Sequence, residues 1–347
     1  MSDISLKHKL VLVGFVVLAG GLLLGAGAAE DADEEVYETT ITMLSTAIYQ
    51  PAPRAFIEYV EENSDGRIVF EDFIMETLGS DTDVMEMVYH GEIDITTGQM
   101  DAGVSTYVSS VVALSHPFAF SDPDEFIEAV HPESPIFQEF QRIVREESGG
   151  NLHALNGKYA SSRNTYSVPG PIRTPDDLVQ HSIRIRVPES PLHLGLWEAL
   201  GATPVGVPGE ERYGALQTGI VNALEGGLGS AIDLGLTDYT QYTILTGHVM
   251  TGHFFIANAD WYDSLPEDLQ AVVDEGAKRA ADVQNRDLPQ ADAEAIDAMR
   301  DMGIDVIELT EEERQQWVDI AFDFAEEIME AENVNPAFLE MVLDFGN

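Results

Sequence analysis

The 347-residue sequence has no cysteine and only four lysines, Lys7, Lys9, Lys158 and Lys278. Without cysteine there is no disulfide, no thiol nucleophile and no thiolate metal site. Positive charge of any kind is scarce: Lys and Arg number 17 against 62 Asp and Glu, a formal net charge of −45. Such a chain cannot present the basic footprint that a phosphate backbone requires, which excludes nucleic acid as a general partner. Long apolar runs are also missing beyond residue 29, so the body of the chain is expected to be soluble. What is abundant is carboxylate. That surface suits hydration in concentrated salt, where a Debye length of ~3 Å at 1 M screens the self-repulsion. With 44% hydrophobic and 8% aromatic residues, the chain can bury a core, and global disorder is excluded. The length fits two domains of ~150 residues or one elaborated domain.

The N-terminus carries Lys7, His8 and Lys9, then an apolar run from Leu10 to Ala29 that closes on Ala26-Gly27-Ala28-Ala29. The composition flips at once to Glu30-Asp31-Ala32-Asp33-Glu34-Glu35. This order is that of a secretory leader cleaved after Ala28 or Ala29. At ~20 residues the run is also long enough to remain as a membrane anchor. Residues 1–28 are therefore read as signal peptide or anchor, and 29–35 as an acidic linker.

Beyond the linker, strand and helix patterns alternate: Thr39–Met43, Pro53–Glu62, Arg67–Phe73, Asp81–His90 and Ile93–Thr96. That rhythm marks an α/β protein with helices over a largely parallel sheet. Helices are further expected over Asp124–Glu147, from Thr174-Pro175, over Leu192–Leu200, Glu210–Gln217, Pro266–Arg286 and Glu311–Glu332, and Pro289 is expected to kink or interrupt the helix begun at Pro266. Short strands are expected at Leu152–Leu155, Ile183–Val187 and Phe254–Ala257.

Reactive constellations are few. Residues 61–72 imitate a calcium loop, but Glu61 stands where Asp belongs, Asp72 where Glu belongs, and a strand flanks it. Gly227-Leu228-Gly229 lacks the third glycine of a dinucleotide fingerprint, and His248 and His253 are poorly spaced for zinc. With 62 acidic residues, paired carboxylates arise by chance and argue for no glycosidase. No enzyme, cofactor or metal is expected. The informative feature is Ile183-Arg184-Ile185-Arg186-Val187-Pro188, two rare cations in a short buried strand. One can face solvent or an acidic neighbour; the other faces the interior or a cleft, where a guanidinium fork suits a carboxylate. Arg163, in Ser161-Ser162-Arg163-Asn164-Thr165, is a second candidate. For each, an internal salt bridge is the competing role.

With Gly66-Arg67-Ile68, Leu78-Gly79, Gly91-Glu92-Ile93-Asp94, Pro117-Phe118-Ala119-Phe120, Ile185-Arg186-Val187-Pro188, Leu200-Gly201-Ala202-Thr203-Pro204-Val205, Tyr213-Gly214-Ala215-Leu216-Gln217-Thr218-Gly219, Val221-Asn222-Ala223-Leu224-Glu225 and Leu265-Pro266-Glu267-Asp268-Leu269-Gln270 in this order, the chain resembles the solute-binding proteins of tripartite ATP-independent periplasmic (TRAP) transporters, of the dicarboxylate-binding-protein (DctP) family. The resemblance implies a two-lobed α/β fold with discontinuous lobes and a long helix across both. Carried onto this chain, the first lobe is 36–160 plus 252–291 and the second 161–251 plus 292–347. It implies an exported receptor, in the periplasm or at the cell exterior, that closes on a small organic acid and docks on membrane permease subunits. Arg186 falls on the family's ligand-pairing arginine, Arg163 on a second arginine used by many members, and Gln99 on a frequent polar contact. Three positions depart from the family: Gly226 replaces an asparagine, Gly209 a bulky aromatic, and Glu189 an asparagine. The two glycines imply a roomier pocket, and Glu189 offers an acceptor for hydroxyl or amine groups. Tyr159 and His253 are further pocket candidates, with ordinary packing as the alternative. An ABC-type receptor of similar shape, or a secreted acidic enzyme, are the competing functions.

Overall fold

The structure, a computed structural model, describes residues 35–99 and 103–345. The expected leader and all but the last residue of the acidic linker lie outside them. The first described elements are β1 (Tyr37–Met43), α1 (Pro51–Asn63), β2 (Ile68–Ile74), α2 (Asp81–Tyr89) and β3 (Ile95–Gln99). Residues 61–72 are thus a helix end, a turn and a strand. Ser80 caps α2 reciprocally: its hydroxyl accepts from Asp83 N while Asp83 accepts from Ser80 N, satisfying two otherwise orphaned donors.

Next come α3 (Pro123–Val130) and α4 (Pro135–Glu147), where the pattern predicts one helix. Pro132 and Pro135 explain the break. His131, preceding Pro132, is extended at ψ 140°, as the proline ring demands. Ser134 then caps α4, accepting from Phe137 N at 3.0 Å. After β4 (Leu152–Ser167) follow α5 (Pro175–Gln180), β5 (Arg184–Val187), α6 (Pro191–Ala199), β6 (Thr203–Gly206), α7 (Arg212–Gln217), β7 (Ala223–Gly227), α8 (Leu228–Asp233) and β8 (Tyr242–Asn258). The chain finishes with α9 (Ala259–Ser264), α10 (Glu267–Asp301), β9 (Asp305–Glu308), α11 (Glu311–Ala331) and α12 (Pro336–Phe345). No helix among the described residues is long and apolar enough to cross a membrane.

The strands order as β2-β1-β3-β8-β4-β7-β5-β6, with β9 beside β8. β4 and β8 are antiparallel and far longer than expected, at 16 and 17 residues. One end of this ribbon carries β3 through Gln99 opposite His253; the other carries β7 through Arg163 opposite Gly227. The ribbon therefore joins two half-sheets, each covered on both faces. Register shifts at Tyr159/Ser161 and Arg163/Thr165 bend it between them.

α10 is the second connection. At 35 residues it spans roughly 50 Å, its first half packing Leu269, Val273 and Ala277 against the Phe56 and Phe255 core. Its second half packs Ala295 and Met299 with Leu224 and Val221. Pro289 lies inside it, so the expected interruption is confined to the one hydrogen bond that proline cannot donate. α12 packs Phe338 and Val342 into the core of Phe137 and Phe140. Its apolar stripe thus places the last residues with first-half elements, where the expected boundary put them in the second lobe.

Candidate functional site

The site lies where the ribbon passes between the half-sheets. Arg163 stands on β4 with its backbone opposite Gly227 and Val249. Its Nε and Nη2 donate to the two oxygens of Glu225, each at 2.5 Å. Both side chains are buried, at 4% and 0% exposure. His248 Nε2 is 3.3 Å from the same carboxylate, and its Nδ1 is 2.9 Å from the Thr246 hydroxyl. Burial by itself would raise the Glu225 carboxyl, yet the Arg163 charge and hydrogen bonds from His248 and Arg163 hold it well below the usual carboxylate range. Burial lowers His248 in spite of Glu225, so its ring is neutral and donates Nε2–H. Of the two roles open to Arg163, the structure forms the internal ion pair.

Arg186 is placed differently. Parallel pairing of β5 with β6 and β7 fixes its backbone, and Pro188 ends the strand. Nε and Nη2 both donate to the Val207 carbonyl, at 2.8 and 2.5 Å. The side chain is buried, and among the described residues no carboxylate pairs with it. Burial, then the charge of Arg212, bring its pKa down to about 9, so it stays protonated at neutral pH. A desolvated guanidinium without a counter-ion is costly. Its companion Arg184 is exposed and bonds the carbonyls of Ile220 and Gly219.

Arg212 lies outside the set expected from sequence. Its Nε donates to the Gly209 carbonyl at 2.8 Å, two residues along the chain from the acceptor of Arg186. A Cβ on Gly209 would lie 3.8 Å from Arg212 Nη2, and one on Gly226 4.0 Å from Nη1. The space expected to be open at these glycines is thus bordered by a guanidinium. Gly226 also has φ +154°, which L side chains rarely adopt, so a side chain at this position would be strained. The sequence held two signals for Arg212: the scarcity of cations, and a cation opening a helix, where the macrodipole opposes it. Glu189 is exposed; its Cγ would lie 3.4 Å from a Cβ on Gly206, and its charge bears on Arg186.

The other half-sheet contributes Tyr49, likewise outside that set, and His253, whose rings meet edge-on at 4.5 Å. Burial and Asp292 push the Tyr49 phenol up to about 12, while Arg212 and Arg163 oppose them. The Tyr49 phenol therefore lies within electrostatic reach of both arginines. Beside it, a Cβ on Gly229 of α8 would come within 3.0 Å of Ile48, so the halves touch here. Gln99 ends β3 opposite His253. Tyr159 is committed elsewhere, its hydroxyl donating at 2.7 Å to Asp292 of α10. Burial raises Asp292 to about 6, against hydrogen bonds from Tyr159 and the Ser162 and Gly229 backbone. Arg163, Arg186, Gly209 and Gly226 are thus brought together, His253 meets Tyr49 in the first half with the Gln99 backbone in register beside it, Glu189 lies at the surface, and Tyr159 joins strand to crossing helix.

Two half-sheets joined by a crossing ribbon and helix, with buried guanidiniums at the junction, define a two-lobed solute receptor. The chain belongs to the DctP family, bacterial extracellular solute-binding protein family 7, which it matches over residues 40–332. It is 27% identical over 338 residues to the ectoine/5-hydroxyectoine-binding periplasmic protein UehA of Ruegeria pomeroyi, covering 95% of this chain and 92% of that one. It is likewise 27% identical over 320 residues to the ectoine-binding periplasmic protein TeaA of Halomonas elongata, covering 90% and 89%. Among solved structures, the sugar-acid-binding protein DctPAm of Advenella mimigardefordensis, in complex with galactonate, superposes with a TM-score of 0.80 at 22% identity, covering 90% of this chain and 99% of that one.

Proposed function

We propose that this receptor captures a small organic acid between its lobes, with Arg186 as the group that pairs with the ligand carboxylate, and passes it to the membrane permease subunits of a TRAP transporter. The observation that carries the reading is the buried Arg186, anchored to one carbonyl and paired with no carboxylate among the described residues. A ligand carboxylate supplies the missing charge, and desolvation makes that pair selective. Arg163, neutralised by Glu225, lends shape; His253 and Tyr49 stand in the facing half, where β3 ends at Gln99. Differential contact with two lobes lets the ligand stabilise the closed state. The lobes divide near residues 160 and 252, with 36–160 and 252–291 in one and 161–251 and 292–331 in the other. The protein works outside the cytoplasm, released or tethered by its apolar N-terminus, and is not an enzyme. The ectoine-binding relatives and the galactonate-bound structure support the carboxylate class.

The test is a thermal-shift screen of organic acids, neutral sugars and divalent metals in molar KCl. Carboxylic acids are expected to raise the melting temperature and to be recovered unchanged. A response confined to sugars or metals, or turnover of the bound acid, overturns the proposal.

A further inference from the structure

From the position of Arg212 we infer a second anion subsite, making this residue a specificity determinant that selects acids carrying a second anionic group. The inference rests on Arg186 being the carboxylate partner. Arg186 and Arg212 are anchored on the carbonyls of Val207 and Gly209. Atoms of the same kind two residues apart are separated by at most about 7 Å, which holds the two anchored side chains near each other, close enough for the charge of Arg212 to act on Arg186. Arg212 spends Nε on its anchor, while Nη1 and Nη2 lie beside the bare backbones of Gly226 and Gly209.

The charge balance points the same way. Glu225 neutralises Arg163, and the nearby His248 is neutral. Arg186 and Arg212 form no ion pair with a described carboxylate. A monoanion satisfies one of them and leaves the other, the buried Arg186 or the half-buried Arg212, without an anionic partner; a dianion satisfies both. Their mutual repulsion contributes to the lowered pKa of Arg186, and a ligand with two anionic groups relieves it. In a chain of net charge −45, two cations without a described ion-pair partner, both anchored on the carbonyls of one three-residue segment, 207–209, are not explained by surface chemistry. The second group can be a carboxylate or a phosphate, because both offer oxygens to a guanidinium fork.

The experiment compares gluconate, glucarate and 6-phosphogluconate, together with glycerate, tartronate and 3-phosphoglycerate, by calorimetry in molar KCl on wild type, Arg212→Leu and Arg212→Lys. Negative-ion mass spectrometry with methyl-ester counting is run on any acid released from natively purified protein. Expected is a dianion bound at least about tenfold more tightly than its monoanionic match. That advantage should collapse to within about twofold in Arg212→Leu and survive in part in Arg212→Lys. The dicarboxylate and phosphate arms tell a second carboxylate from a phosphate, which at neutral pH carries roughly 1.5 to 2 charges of its own. Equal binding of the matched acids, an advantage that persists in Arg212→Leu, or a released monoacid overturns the inference while leaving Arg186 as carboxylate partner. Should no acid bind and none be released, the carboxylate reading itself fails and this inference with it. Melting temperatures of the unliganded variants within a few degrees of wild type show that folding is intact.

Discussion

Replacing Glu225 by Gln strands Arg163, which is 4% exposed, without its counter-charge. An exposed ion pair is worth up to ~1 kcal/mol, but removing one partner of a buried pair costs about 3–5 kcal/mol. In a domain of this size each kcal/mol moves the melting temperature by roughly 2–4 °C, so a drop on the order of 10 °C is expected. Gln preserves volume and one acceptor, so the loss reports charge rather than packing. The assay is urea unfolding in molar KCl, which screens the surface carboxylates but leaves a buried pair intact. The pH dependence has a defined sign. Glu225 is held well below its ordinary 4.5 when folded, so its contribution is complete above 4.5 and fades as pH falls through the folded value. Wild type and variant should therefore converge in acid. Arg163→Met combined with Glu225→Leu removes both charges and should recover much of the loss. A cost below ~1 kcal/mol, or a double variant no better than the single, refutes the reasoning.

Asp292 titrates in the opposite sense. Its pKa is raised to about 6, so its contribution to stability is complete below the ordinary 3.8 and lost as pH rises through about 6, a span of roughly 3 kcal/mol. Against Asp292→Asn, wild type should gain relative stability between pH 7.5 and 4 in urea melts; a constant difference contradicts this. Lys158 is 1% exposed, its Nζ has no hydrogen-bond partner among the described residues, and it sits 3.9 Å over the Phe255 ring. Burial holds its pKa well below 10.5, so stability is fullest above 10.5 and lost as pH falls through the folded value. Lys158→Met should therefore stabilise by about 1–4 kcal/mol at pH 7, a gain that shrinks toward pH 11; a destabilised variant contradicts it. Raising KCl from 0.1 to 2 M should raise the melting temperature by screening the net charge of −45, and a falling temperature contradicts that account.

The parts most legible in the sequence were those with local signals. Thr174-Pro175 starts α5, with Asp177 accepting from Thr174 N at 3.0 Å, and α11 covers nearly all of the helix expected over Glu311–Glu332, with Trp317 of its expected stripe Trp317, Ile320, Phe324 and Ile328 buried and the other three half-buried. The crossing ribbon was largely hidden. Asn156, Lys158, Ser161, Arg163 and Asn164 are buried in β4, so the strand shows neither a continuous apolar run nor alternation. Its polar residues are the signal of the junction, and they conceal the strand that carries them. Scarcity of cations pointed to Arg163 and Arg186, and the structure separates them by partner: Glu225 for one, a carbonyl for the other. Arg212 lay outside the expected set although a cation opening a helix in so cation-poor a chain marked it, and Tyr49 stayed hidden because its partner His253 lies about two hundred residues away, with no fixed spacing between them. Pro289 misled in the other direction, since packing of α10 on both lobes outweighs one missing hydrogen bond.

The claim on which the account turns is that Arg186 pairs with the carboxylate of the ligand. Titration calorimetry in molar KCl, of the acid giving the largest thermal shift, into wild type and Arg186→Lys tests it most directly. Lysine keeps the charge but not the fork, and affinity should fall by about 100-fold while the unliganded protein melts within a few degrees of wild type. Unchanged affinity in Arg186→Lys would show that the arginine only holds the Val207 loop, and would contradict the account.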